Sequence, residues 1–118
     1  MQQQNGNVVW FEVMGQDLEG LHRFYSELFG WKLKNDDGAP YLLSDAAQTG
    51  IGGGVGKAPA GPGWSAFYVQ VDDVQAAVDR AVRLGGKVLN PPTSVGCTTI
   101  AMVADPEGHP VGFARTND

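Results

Sequence analysis

One repeat limits what this chain can fold into more than any other feature. The segment DLEGLHRFYSELFGWKL, beginning at Asp17, recurs as DVQAAVDRAVRLGGKVL, beginning at Asp73. In this register Leu18 meets Val74, Leu21 meets Ala77, Tyr25 meets Ala81, Leu28 meets Leu84 and Gly30 meets Gly86. Each copy opens on an Asp, whose carboxylate can accept hydrogen bonds from the first free N–H groups of a helix. Apolar residues follow at helical spacing and form one stripe for burial. A glycine then closes each copy, since glycine readily takes the left-handed conformation that ends a helix. The pattern predicts two equivalent helices, with Leu21, Tyr25, Leu28, Ala77, Ala81 and Leu84 on a helix–sheet interface.

A strand precedes each helix. In VVWFEVM, residues 8–14, Val9, Phe11 and Val13 alternate with Trp10, Glu12 and Met14, so an apolar face backs a face bearing indole and carboxylate. In WSAFYVQV, residues 64–71, Phe67, Val69 and Val71 form the face for the helices, and Trp64, Ala66, Tyr68 and Gln70 point the other way. Shorter strands follow each helix: Trp31–Leu33, Tyr41–Leu43 and Gly50–Val55, then Lys87–Leu89, Thr98–Val103 and Val111–Arg115. The turn-formers NDDGAP, APAGPG, NPPT and DPEGHP separate them. The expected fold class is therefore α+β. Two tandem βαβββ modules, about 7–55 and 64–115, joined by a linker at 56–63, make a single domain over 1–118. They form a curved, mostly antiparallel sheet around a cleft, with helices on the outer face. Trp10, Glu12, Trp64 and Tyr68 converge on that cleft, the kind of concavity small ligands use.

Composition removes several function classes. A net charge of −5 with no Lys/Arg cluster argues against a nucleic-acid partner. No apolar run reaches membrane-spanning length, and the polar start MQQQNGN lacks the features of a signal peptide. The one cysteine, Cys97, leaves no internal disulfide and fits a reducing cytoplasm.

Three motifs in order carry a resemblance: VVWFEVMGQDLEGLHRFYSELFGWKL, YVQVDDVQAAVDRAVRLGGKVL and ADPEGHPVGF. From about residue 8 to 115 the chain resembles the vicinal oxygen chelate superfamily, which includes glyoxalase I, extradiol dioxygenases, fosfomycin-modifying enzymes and bleomycin-binding proteins. The resemblance implies paired βαβββ modules and a homodimer. It also implies a divalent metal held by His, Gln or Glu on the concave strands, but the matching positions here hold Trp10, Ala66 and Gly112, and the fourth strand, GIGGGVG, offers no ligand. An indole N–H donates and does not coordinate. His22 on the first helix and His109 in the DPEGHP turn are too few to replace that set, since a metal needs at least three convergent donors. The expectation is no metal and no cofactor.

Glu12 is the ionisable candidate. Losing solvent beside Trp10 would suit it to general acid–base work, and the plainer alternative is a hydrogen bond to a neighbouring strand. Cys97 has no histidine close in sequence to activate it and reads as a small packing thiol. The glycine run TGIGGGVG does not open a helix, as a phosphate loop must, so it marks a kink or a close approach. The leading expectation is a metal-free protein binding an aromatic or cationic small molecule, with Trp10, Trp64 and Tyr68 as walls and Glu12 as polar anchor. One alternative is a lyase or isomerase using Glu12 as general base. Another is a structural or interaction module whose cavity the tryptophans fill.

Overall fold

The structure is a computed structural model that describes residues 6–35 and 37–116. It is α+β. In chain order the elements are β1 (Val8–Gly15), α1 (Leu18–Phe29), β2 (Tyr41–Ser44), α2 (Ala46–Thr49), β3 (Gly53–Lys57), β4 (Trp64–Gln70), α3 (Val74–Arg83), β5 (Lys87–Val95), β6 (Thr98–Ala104) and β7 (Pro110–Thr116). The chain divides into two compact units, one formed by Trp10–Ser65 and the other by the residues through Val9 together with those from Ala66 on.

In the Trp10–Ser65 unit the strand order is β2-β3-β1. β3 runs parallel to β1, with Glu12 opposite Gly54 and Met14 opposite Gly56, and antiparallel to β2, with Tyr41 opposite Gly56. Asp17 caps α1, its carboxylate accepting from Gly20 N at 3.0 Å, and Gly30 ends it at φ 74°. Both features follow the sequence reading. Beneath α1 lies an aromatic stack. Tyr25 and Trp31 are nearly parallel with centroids 5.7 Å apart, and Trp31 stands 5.6 Å from Phe11 on β1. Leu21 lies against Gly15, where an added methyl would come within 2.9 Å of it.

Two expectations fail in this unit. Leu28 is 58 % exposed and not on the helix–sheet interface. Trp31 folds back to 5.0 Å from Phe29 and stacks on Tyr25. That return also replaces the expected strand Trp31–Leu33: a single bridge, Lys34 to Leu43, stands there. The short α2, capped by Asp45, was not foreseen and occupies part of the run before β3.

The second unit has the order β4-β7-β6-β5, with β4 and β7 parallel and the other pairs antiparallel. Asp73 caps α3, accepting from Ala76 N at 3.0 Å. The core is aliphatic: Val74, Val78, Ala101 and Val103, with Val71, Ala81, Val111 and Phe113 packed around it.

Leu84 is the C-cap of α3, beyond its last regular turn, and is 68 % exposed, off the predicted interface. The left-handed residue is Gly85 (φ 101°), not Gly86. Gly86 instead admits close backbone approach, for a methyl there would lie 2.8 Å from Ala104 O. Phe67, expected under the helix, is 45 % exposed, while Tyr68 is the buried aromatic of β4. NPPT lies inside β5 and is not a turn. Its prolines, which cannot donate to a ladder, coincide with register shifts between Val88 and Thr93.

Candidate functional site

The opposite face of the β2-β3-β1 sheet collects the residues singled out on β1. Side chains alternate along a strand, so Trp10, Glu12 and Met14 share this face with Gly54, Gly56 and Tyr41 on the paired strands. Glycine is what makes the arrangement possible. A side chain at Gly54 would overlap the Tyr41 ring, and one at Gly56 would press on that ring and on Met14. Tyr41 therefore lies flat across β3, which brings its hydroxyl to Glu12.

A directed hydrogen-bond chain results. The Trp10 indole N–H donates to Tyr41 Oη at 3.0 Å, and the Tyr41 hydroxyl donates to Glu12 Oε1 at 3.0 Å. From the start of β4, within the same unit, Trp64 donates its indole N–H to Glu12 Oε2 at 2.9 Å. Glu12 is only 8 % exposed. Two aromatic side chains, Tyr41 and Trp64, thus turn their polar hydrogens to one buried carboxyl, and a third, Trp10, turns its own to the Tyr41 oxygen. Burial first, and then the charge of Glu12, push the Tyr41 phenol well above its ordinary value of 10.0, so it stays a donor.

Of the four residues singled out in the sequence, Glu12 is bonded directly to Trp64 and through Tyr41 to Trp10. Tyr68 belongs to the other unit, where it is 7 % exposed and its ring occupies the space a side chain at Gly112 would take. Tyr41 is the member that the sequence reading missed. Its signal was the spacing of Gly52, Gly54 and Gly56, alternate bare positions on one face that leave room for rings from adjacent strands. Trp10 covers the first and Tyr41 the other two.

The superfamily metal can be tested against these positions. At the first, the Trp10 nitrogen spends its hydrogen on Tyr41; at another, Gly112 has its side-chain space filled by Tyr68; Ala66 carries no donor. Among the described residues no three His, Cys, Asp or Glu side chains gather where a metal could sit. These residues do not fit the group. His109 pairs instead with Asp105 at 3.0 Å in an exposed turn, and Cys97 is exposed.

A family profile, Glyoxalase/Bleomycin resistance protein/Dioxygenase superfamily, matches residues 7–113. The chain belongs to this superfamily. CFP32 of Mycobacterium bovis, assigned by name to the glyoxylases, is 32% identical over 122 residues, covering 95% of this chain and 46% of that protein. Lactoylglutathione lyase GLX1 of Arabidopsis thaliana is 31% identical over 108 residues, 79% of this chain and 38% of that protein. The chain thus spans less than half the length of these curated relatives. Among solved structures, a superfamily member from Vibrio splendidus 12B01 superposes with a TM-score of 0.64 at 18% identity, over 92% of this chain and 97% of that one. Among the described residues no helix is long and apolar enough to cross a membrane.

Proposed function

We propose that this chain is a small-molecule-binding member of the superfamily that works without a metal, taking a flat aromatic or cationic ligand on the face bearing Trp10, Tyr41 and Trp64. One observation carries the reading: Glu12 is buried and accepts from Tyr41 and Trp64, while Tyr41 accepts from Trp10. Rings held in this way lose little freedom when a ligand stacks on them, which lowers the entropic cost of binding. Trp10, Tyr41 and Trp64 are each only partly buried, unlike plugs that merely fill a core. Tyr68, in this reading, packs its own unit. The likeness to a lactoylglutathione lyase supports the alternative of a lyase or isomerase with Glu12 as base. The burial of Glu12 weighs against it, because a base must present a lone pair to substrate and this carboxyl is only 8 % exposed. A cytoplasmic homodimer belongs to the same proposal, and sedimentation as a monomer at high micromolar concentration would remove the dimer from it.

Calorimetric titration with quinoline, a neutral flat ring, tests the reading. Trp10→Ala and Trp64→Ala are each expected to weaken binding by about 1 kcal/mol. Unchanged affinity in both variants, or no binding by the wild type of either quinoline or its N-methylated cation, would overturn it. Elemental analysis of protein purified without chelator is expected to find no stoichiometric metal, and one equivalent of zinc, nickel, iron or manganese would remove the metal-free part of the reading.

A further inference from the structure

We propose that the preferred ligand of this face is a cation whose charge carries no hydrogens, such as a quaternary ammonium or N-alkylated heteroaromatic group; this rests on the reading of the face as a binding site. The argument begins with where the polar hydrogens go. The Trp64 indole and the Tyr41 hydroxyl donate to Glu12, and the Trp10 indole donates to Tyr41. None of these three donor hydrogens is turned outward to a ligand. Ligand acceptors such as carboxylates or carbonyls therefore find no donor among these rings. What the rings offer is their π faces. Tyr41 has one face against β3 at Gly54 and Gly56, so its other face turns away from the strand.

A ring that donates to a carboxylate gains electron density, and its face becomes more attractive to a cation. The sign of the ligand follows. The kind of cation follows from the burial of Glu12. An ammonium with N–H groups is best held by a carboxylate it can touch, but Glu12 is 8 % exposed and both its oxygens already accept a hydrogen bond. Each oxygen keeps a second lone pair, but with so little of the carboxyl open an N–H has no direct approach to it past Tyr41 and Trp64. A cation without hydrogens needs no such contact. It loses little hydration on leaving water and is held by ring faces and by the negative charge behind them.

Tyr41 is then the positioning residue for this selectivity. Its ring fills the space over β3, and its hydroxyl both occupies Glu12 Oε1 and absorbs the Trp10 hydrogen. Tyr41→Phe keeps the ring, frees the Trp10 N–H and leaves Oε1 without its phenol donor.

The test compares three probes of similar shape by calorimetry at neutral pH: quinoline, which is neutral; N-methylquinolinium, whose charge carries no hydrogen; and protonated 4-aminoquinoline, whose charge does. In the wild type, N-methylquinolinium is expected to bind about tenfold more tightly than either of the others. In Tyr41→Phe, with folding verified by its melting transition, the advantage over 4-aminoquinoline is expected to fall to about threefold or less. Quinoline binding as tightly as N-methylquinolinium, or 4-aminoquinoline binding as tightly in the wild type, would overturn the proposal and leave the aromatic binding face standing. Binding of none of the three would overturn both. A preference unaltered by Tyr41→Phe would overturn the role given to Tyr41. Should Tyr41→Phe not fold, Trp64→Phe, which removes the other donor to Glu12 and keeps a ring, is expected to lower the same ratio, and an unaltered ratio there would overturn the proposal.

Discussion

Each of the two units carries one copy of the sequence repeat, and they use it differently. α3 buries Val74 and Val78 against an aliphatic patch from β6 and β7. α1 has no fully buried residue. It rests on the Tyr25–Trp31–Phe11 stack and leaves Phe24, Leu28 and Phe29 more than half exposed. The sheet beneath α3 offers Ala101, Val103, Val111 and Phe113 to the helix, whereas the sheet beneath α1 contains a strand of mostly glycine. Two helices with the same Asp N-cap thus support one unit organised by packing and another organised by aromatic rings and a buried carboxyl. A repeat transmits the frame, and the side chains placed on the frame decide what each half does.

Substitutions can break this contrast. The largest effect is expected from Val78→Asp: at 4 % exposure the new charge would be buried without a partner, costing more than about 4 kcal/mol and abolishing the folded state. Leu28→Asp, at the position nearest in kind on α1, is expected to cost under about 1 kcal/mol. A melting comparison decides, and equal losses would show that α1 is as deeply packed as α3. Gly54→Ala comes next. Its methyl cannot coexist with the Tyr41 ring where it lies, so a loss of about 1–3 kcal/mol is expected, along with the Tyr41–Glu12 hydrogen bond. A crystal structure of the variant with that bond intact would contradict the account of β3.

Two pH effects sharpen the contrast further. The Tyr41 phenol is raised in the folded protein, chiefly by burial and then by Glu12. Its stabilisation is complete below the ordinary value of 10.0 and declines as pH rises past it, because the unfolded chain then ionises first. Chemical denaturation between pH 9 and 11 should show this decline (roughly the window bracketing a free phenol), and Tyr41→Phe should flatten it. The smallest effect belongs to the other unit. Asp105, partly exposed in the DPEGHP turn, is held below its ordinary 3.8, first by the backbone N–H of His109. Its contribution is present above that value and fades as pH falls through the lowered one. Asp105→Asn should remove that acid dependence and change little else.

Much of the frame was legible in the chain. Asp17, Asp73 and Gly30 announced the helix ends through local chemistry, and alternation placed Trp10 and Glu12 on one face with Trp64 joining them. Other features depended on contacts distant in sequence. Leu28 and Leu84 fit the helical stripe, but whether a stripe is buried at its end depends on what lies beneath it. Leu28 stands exposed in the last turn of α1, and Leu84 lies past the last regular turn of α3. Tyr41 sat in a short strand with no mark of its own, and its role became visible only when β3 paired with β2 and left space above Gly54 and Gly56.

That bare strand has a consequence for how this part of the protein assembles. In GGVGK only Val55, with no exposed surface, projects a buried side chain. Glycine-rich strands specify their alignment weakly, because shifting them by one position moves almost nothing from one side to the other. The information that aligns β3 must therefore reside in its neighbours: Phe11 covers Gly53 from one side, and Tyr41 covers Gly54 and Gly56 from the other. Those partners are joined by long stretches of chain, and contacts of that kind form only after loops close. Phe11 and Tyr41 are thus the proofreaders of strand pairing, and their replacement should slow refolding and admit slipped pairings even where the final melting temperature is barely altered.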